Sequence, residues 1–139
     1  MTPCGKRNAR RFVFSMLLLI PPGLASKFYT GPGFVWVQHH FGGVIYEIFW
    51  CLFFAWIRPG APAVGIASCV LIVTCGLECL QLWHPDFLEA VRSTFIGRAL
   101  IGTSFSWLDF PHYVLGCLMG LAWIRWARRE SVFSLFQDR

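Results

Sequence analysis

The stretch Ala61–Trp83, APAVGIASCVLIVTCGLECLQLW, decides the fold class. Glu78 is its single charged side chain, and the run is long enough to cross a bilayer, which takes about 20 mostly apolar residues as a helix. Three further runs come close: residues 12–28, 41–57 and 109–126. The expected architecture is therefore an all-α integral membrane bundle of four transmembrane helices, forming a single domain over residues 1–139. Pro21-Pro22 is expected to kink or shorten the first helix, because each proline removes a backbone donor.

Composition points the same way. Hydrophobic residues make up 56% of the chain and charged residues 14%, whereas a soluble domain carries about 25% charged residues. The net charge of +5 does not imply a nucleic-acid partner, since the basic residues sit beside apolar runs rather than on a polar face. Cys51, Cys69, Cys75, Cys79 and Cys117 fall inside apolar segments without a C-x-x-C, and read as small packing residues.

Orientation follows from charge. With the N-terminus in the cytoplasm, the inner side carries Lys6, Arg7, Arg10, Arg11, Arg58, Arg125, Arg128, Arg129 and Arg139, and the outer side only Lys27, Arg92 and Arg98. That is the positive-inside pattern of a bacterial inner-membrane protein with both termini cytoplasmic. Trp56, Trp123 and Trp126 mark the inner interface, and Trp36, Trp83 and Trp107 the outer one. A rival reading remains: the basic start, short apolar core and Gly23-Leu24-Ala25 resemble a cleavable signal peptide, which would leave three helices.

Residues 93–101 suit a short interfacial or re-entrant helix between the third and fourth spans. Ser106-Trp-Leu-Asp109 has the spacing of a capping box, and Pro111 fits the first turn of the helix that follows.

Ionisable groups inside a bilayer cost about 2.5 to 3.5 kcal/mol each on insertion scales, so each needs a partner or a task. Glu78 and Gln81 share one helix face, as do Asp109 and Tyr113. The expectation is one outward-opening cluster of Glu78, Gln81, Arg98 and Asp109, with Glu47, His112 and Tyr113 nearby. Such a cluster fits both an ion-paired structural element and a pocket for a lipid-linked or small polar ligand. Gly116 and Gly120 form a G-x-x-x-G pair, equally compatible with packing inside the bundle and with a homodimer. His39, His40 and His112 read as interfacial polar residues, so no metal and no cofactor is expected. Neither a serine elbow, a phosphate loop, an H-E-x-x-H nor a nucleotide fingerprint occurs.

Glu78-Cys-Leu-Gln81, then Arg98-Ala-Leu-Ile-Gly102-Thr-Ser-Phe-Ser-Trp107-Leu-Asp109, then Tyr113 and Gly116, resemble domain-of-unknown-function family 2809, the YjgA-like small bacterial membrane proteins. The resemblance covers about residues 41–120. It implies a membrane protein without an established activity. Where that family often has Gly-Asp, this chain has Gly42-Gly43, and Glu47, one turn on, is the expected substitute. A looser likeness in E-x-x-Q, Arg, Asp and Gly connects the chain to VanZ-like membrane proteins and leans toward the cell envelope. Two functions compete on these grounds: an accessory or binding protein, and an enzyme acting on a lipid-linked envelope substrate. Transport as a homodimer is a third.

Overall fold

The second apolar run becomes the helix that all the other long helices touch. The computed structural model describes residues 3–101 and 105–137. In chain order it contains α1 (Pro3–Phe28), α2 (Phe34–Trp36), a π turn (Val37–Phe41), α3 (Gly42–Ile57), α4 (Ala63–Leu80), α5 (Asp86–Arg92), α6 (Phe95–Ile101) and α7 (Asp109–Gln137). Among the described residues there is no strand, so the all-α class holds. Gly102, Thr103 and Ser104 of the motif lie outside the described residues. So do the side chains of Cys4, His39 and the terminal charges Lys6, Arg7, Arg129, Glu130, Asp138 and Arg139.

α3 packs against α1, α4 and α7. Its buried positions Val44, Ile45, Glu47, Ile48, Cys51, Leu52 and Ala55 point to more than one side, as a helix enclosed by several neighbours requires. Named contacts give the directions. Gly23 faces Ile45 and Gly42 faces Ser26, so α1 and α3 are antiparallel. Gly116 meets Val44 and Glu47 while Gly120 meets Cys51, so α3 and α7 run parallel. Tyr113 reaches Glu78 at one end of α4, and Arg128 donates to the Ala61 carbonyl at the other. The long helices therefore alternate up, down, up, down.

Small residues set the closest approach. A Cβ on Gly116 would lie 2.6 Å from the Glu47 Cβ and 2.8 Å from the Val44 oxygen, and one on Gly120 would lie 2.7 Å from the Cys51 Cβ. The glycine pair thus serves packing inside the bundle. A dimer would need another face.

Several expectations are corrected. Pro21 and Pro22 do not shorten α1, which runs through both to Phe28; the two missing donors leave the Leu17 and Leu18 carbonyls without their usual partners, and the rest of the ladder holds the helix. The second helix begins earlier than residue 41, at Phe34, and passes through the π turn without a break. The third ends at Leu80 rather than Trp83, because the Leu82 and Trp83 N–H groups bond carbonyls three residues back and tighten the chain out of the α-helix. α5 replaces part of the expected loop. α6 starts at Phe95 rather than Ser93, since the Thr94 hydroxyl accepts from the Gly97 N–H and so caps it. α7 continues past Trp126 to Gln137.

Among the described residues, two helices, Ala9–Phe28 and Ala63–Leu80, are long and apolar enough to cross a membrane by length and composition; Gly42–Ile57 is a shorter apolar helix. The outer faces are apolar as well: Phe14, Leu17 and Leu18 on α1, Ile72 and Val73 on α4, and Leu118 and Met119 on α7 are all exposed. Soluble monomers seldom present contiguous apolar surface on this scale.

Candidate functional site

Glu78 lies in the last turn of α4, the one carboxylate of an otherwise apolar helix, and is 1% exposed. It is satisfied by neutral donors. Tyr113 donates its hydroxyl to Oε2 at 2.7 Å, Gln81 donates Nε2–H to the same oxygen at 2.9 Å, and the Ser106 backbone N–H donates to Oε1 at 2.8 Å. One side chain thus joins α4, the start of α7 and the segment leading into it. Bonds to a carboxylate are stronger than neutral ones, about 1.5–3 kcal/mol each. The Tyr113 ring lies over Gly43, whose Cβ would come 3.4 Å from it. At this point of the chain a larger residue would compete with that ring for space.

The anticipated capping box does not form. The Asp109 N–H bonds the Ser106 carbonyl, the Ser106 N–H goes to Glu78, and the Asp109 carboxylate turns away to His40. His40, on the π turn, donates Nδ1–H to Asp109 Oδ1 at 2.7 Å, with the two side chains 12% and 17% exposed. His112 stacks on His40 with ring centroids 4.6 Å apart. Its own nitrogens are both engaged: Nδ1 donates to the Leu108 carbonyl at 2.6 Å, and Nε2 accepts from the Trp36 indole N–H at 3.0 Å. Since an indole can only donate, this network assigns the proton of His112 to Nδ1.

Glu47 sits deeper, against Gly116, and is fully enclosed. Cys117 donates Sγ–H to its Oε2 at 3.1 Å, while Oε1 has no hydrogen-bond partner among the described residues. The Thr74 hydroxyl, on the facing side of α4, spends its proton on the Val70 carbonyl.

The expected single cluster is therefore three groups. Glu78, Gln81 and Tyr113 come together; Asp109 and His112 belong with His40 and Trp36; Glu47 pairs with Cys117. Arg98 joins none of them in these contacts and is exposed on α6. The buried cation is Arg92, 4% exposed, which donates to the Trp83 and Leu80 carbonyls and to Glu89. It caps the C-terminal end of α4, where unsatisfied carbonyls and the helix dipole both favour a cation. Sequence spacing offered no signal for Arg92 or for the pairing of His40 with Asp109, partners far apart in the chain. A weak signal existed for Trp36, four residues before His40 on the same helix face.

A family model described as "Protein of unknown function (DUF2809)" matches residues 33–117, more than half of the chain. The chain belongs to the DUF2809 family. No solved structure matches it. The matched region runs from just before Trp36 to Cys117, so it contains every member of the three groups. Within it, the DUF2809-like Glu78-x-x-Gln81 and Tyr113 form one hydrogen-bonded unit, and Asp109 closes the second through His40.

Proposed function

We propose that this DUF2809 protein is a multi-pass protein of the bacterial inner membrane that binds a small polar or lipid-linked ligand at its outward end. The observation that carries the reading is the partly exposed His40–Asp109 pair, stacked by His112 and seated beside the enclosed Glu78 unit. Where ligands bind between the helices of a bundle, a few fixed polar groups set their orientation, and this pair supplies such groups. Four spans with both termini cytoplasmic agree with the up-down alternation of the long helices and with the basic residues near the N-terminus, Arg58 and Arg125. The continuous helical run from Phe34 to Ile57 is about 30–36 Å long, enough for the second span.

Polyprenyl phosphate and N-acetylglucosamine serve as first probes. At least one should raise the melting temperature of the wild-type protein in detergent and leave His40→Gln/Asp109→Asn unmoved; equal responses would remove the site. Cytoplasmic reporters fused to either terminus should both be active. A mature N-terminus near Ser26 would overturn the four-span count.

One observation favours a second reading, an enzyme acting on a lipid-linked substrate. Asp109 orients the His40 imidazole, the arrangement by which a carboxylate prepares a histidine for general base work. Turnover of a lipid-linked substrate by purified protein, lost in His40→Gln, is the result that reading requires.

A further inference from the structure

α5 and α6 lie at the Glu78 end of the bundle, each pinned to a long helix. Arg92 ties α5 to the Trp83 and Leu80 carbonyls at the end of α4, and the Tyr46 hydroxyl on α3 donates to the Leu100 carbonyl of α6 at 3.5 Å. Each side of α5 has its own chemistry. Leu88 and Arg92, four residues apart, are buried; Phe87 and Val91, also four apart, are exposed; Asp86 and Glu89 form an acidic side. α6 adds Phe95, Ile96 and Leu100, all exposed.

The level of this surface along the bundle indicates what covers it. α4 is long and apolar enough to span a membrane, and its Ile72 and Val73 are exposed. Trp83, just past its end, is exposed and packs edge-on against Phe87 with ring centroids 5.7 Å apart, so apolar surface continues from the end of α4 onto α5. Tryptophan is enriched at the headgroup level of a bilayer. Arg98, exposed on α6, is in no ion pair among the described residues. Apolar side chains with one cation among them, and acidic groups on a separate side, match the layers of a leaflet: hydrocarbon, phosphate, water.

We propose that α5 and α6 lie flat in the outer leaflet, with Phe87, Phe95 and Ile96 among the upper acyl chains, Arg98 at the phosphate of an anionic phospholipid, and Asp86 and Glu89 toward water. The proposal rests on the membrane-spanning reading given above. Arginine suits the phosphate level because its apolar stem can stay in hydrocarbon while its planar fork pairs with two phosphate oxygens.

The test is photocrosslinking of the full chain in nanodiscs of equal phosphatidylglycerol and phosphatidylcholine, with p-benzoylphenylalanine in place of one residue at a time and adducts identified by mass spectrometry. A probe at Phe95 should yield lipid adducts, and one at Asp86 should yield none. The Phe95 probe should favour phosphatidylglycerol about fivefold, the effect of one basic side chain near an anionic surface, and Arg98→Gln should bring the two lipids to parity. Circular dichroism checks that each variant remains helical. Equal adducts from Asp86 and Phe95, crosslinks from Phe95 to a second copy of the chain instead of lipid, parity of the two lipids with Arg98 in place, or a bias that survives Arg98→Gln would each overturn the proposal. A probe at Ile72 reports on the membrane reading separately: lipid adducts there with none at Phe95 would overturn this proposal alone, and none at either position would overturn the membrane-spanning reading as well.

Discussion

Glu78 and Asp109 stand at the same end of the bundle but are held in opposite ways. Glu78 is enclosed and satisfied by a phenol, an amide and a backbone N–H, each from a different part of the chain's fold. Asp109 is partly open and, among the described residues, is bonded through its carboxylate to the His40 imidazole. The first arrangement orders helices, because losing the carboxylate would orphan three donors, one buried and two part-buried. The second leaves a polar pair partly open at the surface.

Substitutions can break that contrast in a graded way, followed by thermal or denaturant unfolding in detergent. Gly116→Leu should do the most damage, about 3 kcal/mol or more, since its side chain would overlap Glu47 and the Val44 carbonyl and part α7 from α3 beneath both regions. Glu78→Ala should cost about 2–3 kcal/mol, from the three donors left unsatisfied. Tyr113→Phe removes one of those bonds and should cost about 1.5 kcal/mol. If Tyr113→Phe proves as harmful as Glu78→Ala, the carboxylate is not the centre of its group. Asp109→Asn keeps an acceptor for His40 and should change stability by less than about 1 kcal/mol while abolishing ligand binding. A larger stability loss would make Asp109 a second structural carboxylate and erase the contrast. Arg98→Ala should be smallest, within about 0.5 kcal/mol, as expected of an exposed side chain away from these contacts.

Much of the helical order was legible beforehand because apolar run length is a local property. The end of α3 at Ile57 and the start of α7 at Asp109 fall where the runs stop and start. The persistence of α1 through Pro21-Pro22 was not legible, since it depends on α1 being packed along α3 by Phe12, Met16 and Leu19. The site was legible as residue types more than as pairings. Glu78 with Gln81 followed from helical spacing. His40 with Asp109, and Arg92 beneath α4, did not.

Arg98 and Arg92 show why. Both are arginines between the third and fourth apolar runs, a few residues apart, and charge counting cannot rank them. α5 and α6 meet closely at Gly97, where a Cβ would clash with the Val91 carbonyl; Arg92 lies against the end of α4, and Arg98 is left exposed.

The sequence by itself determined the all-α class, the four apolar runs, the basic bias of one end and the inventory of polar groups that an apolar chain must accommodate. Each of these depends on residues close together along the chain or on composition alone. Only the tertiary structure decided which carboxylate is sealed and which is open, that Gly116 and Gly120 face α3, and that Arg92 rather than Arg98 is the buried cation. Those outcomes depend on how far the helices slide and turn against one another. That is set by the close approach of α7 to α3: the Gly116–Gly120 spacing permits a close approach, but it does not say which helix makes it.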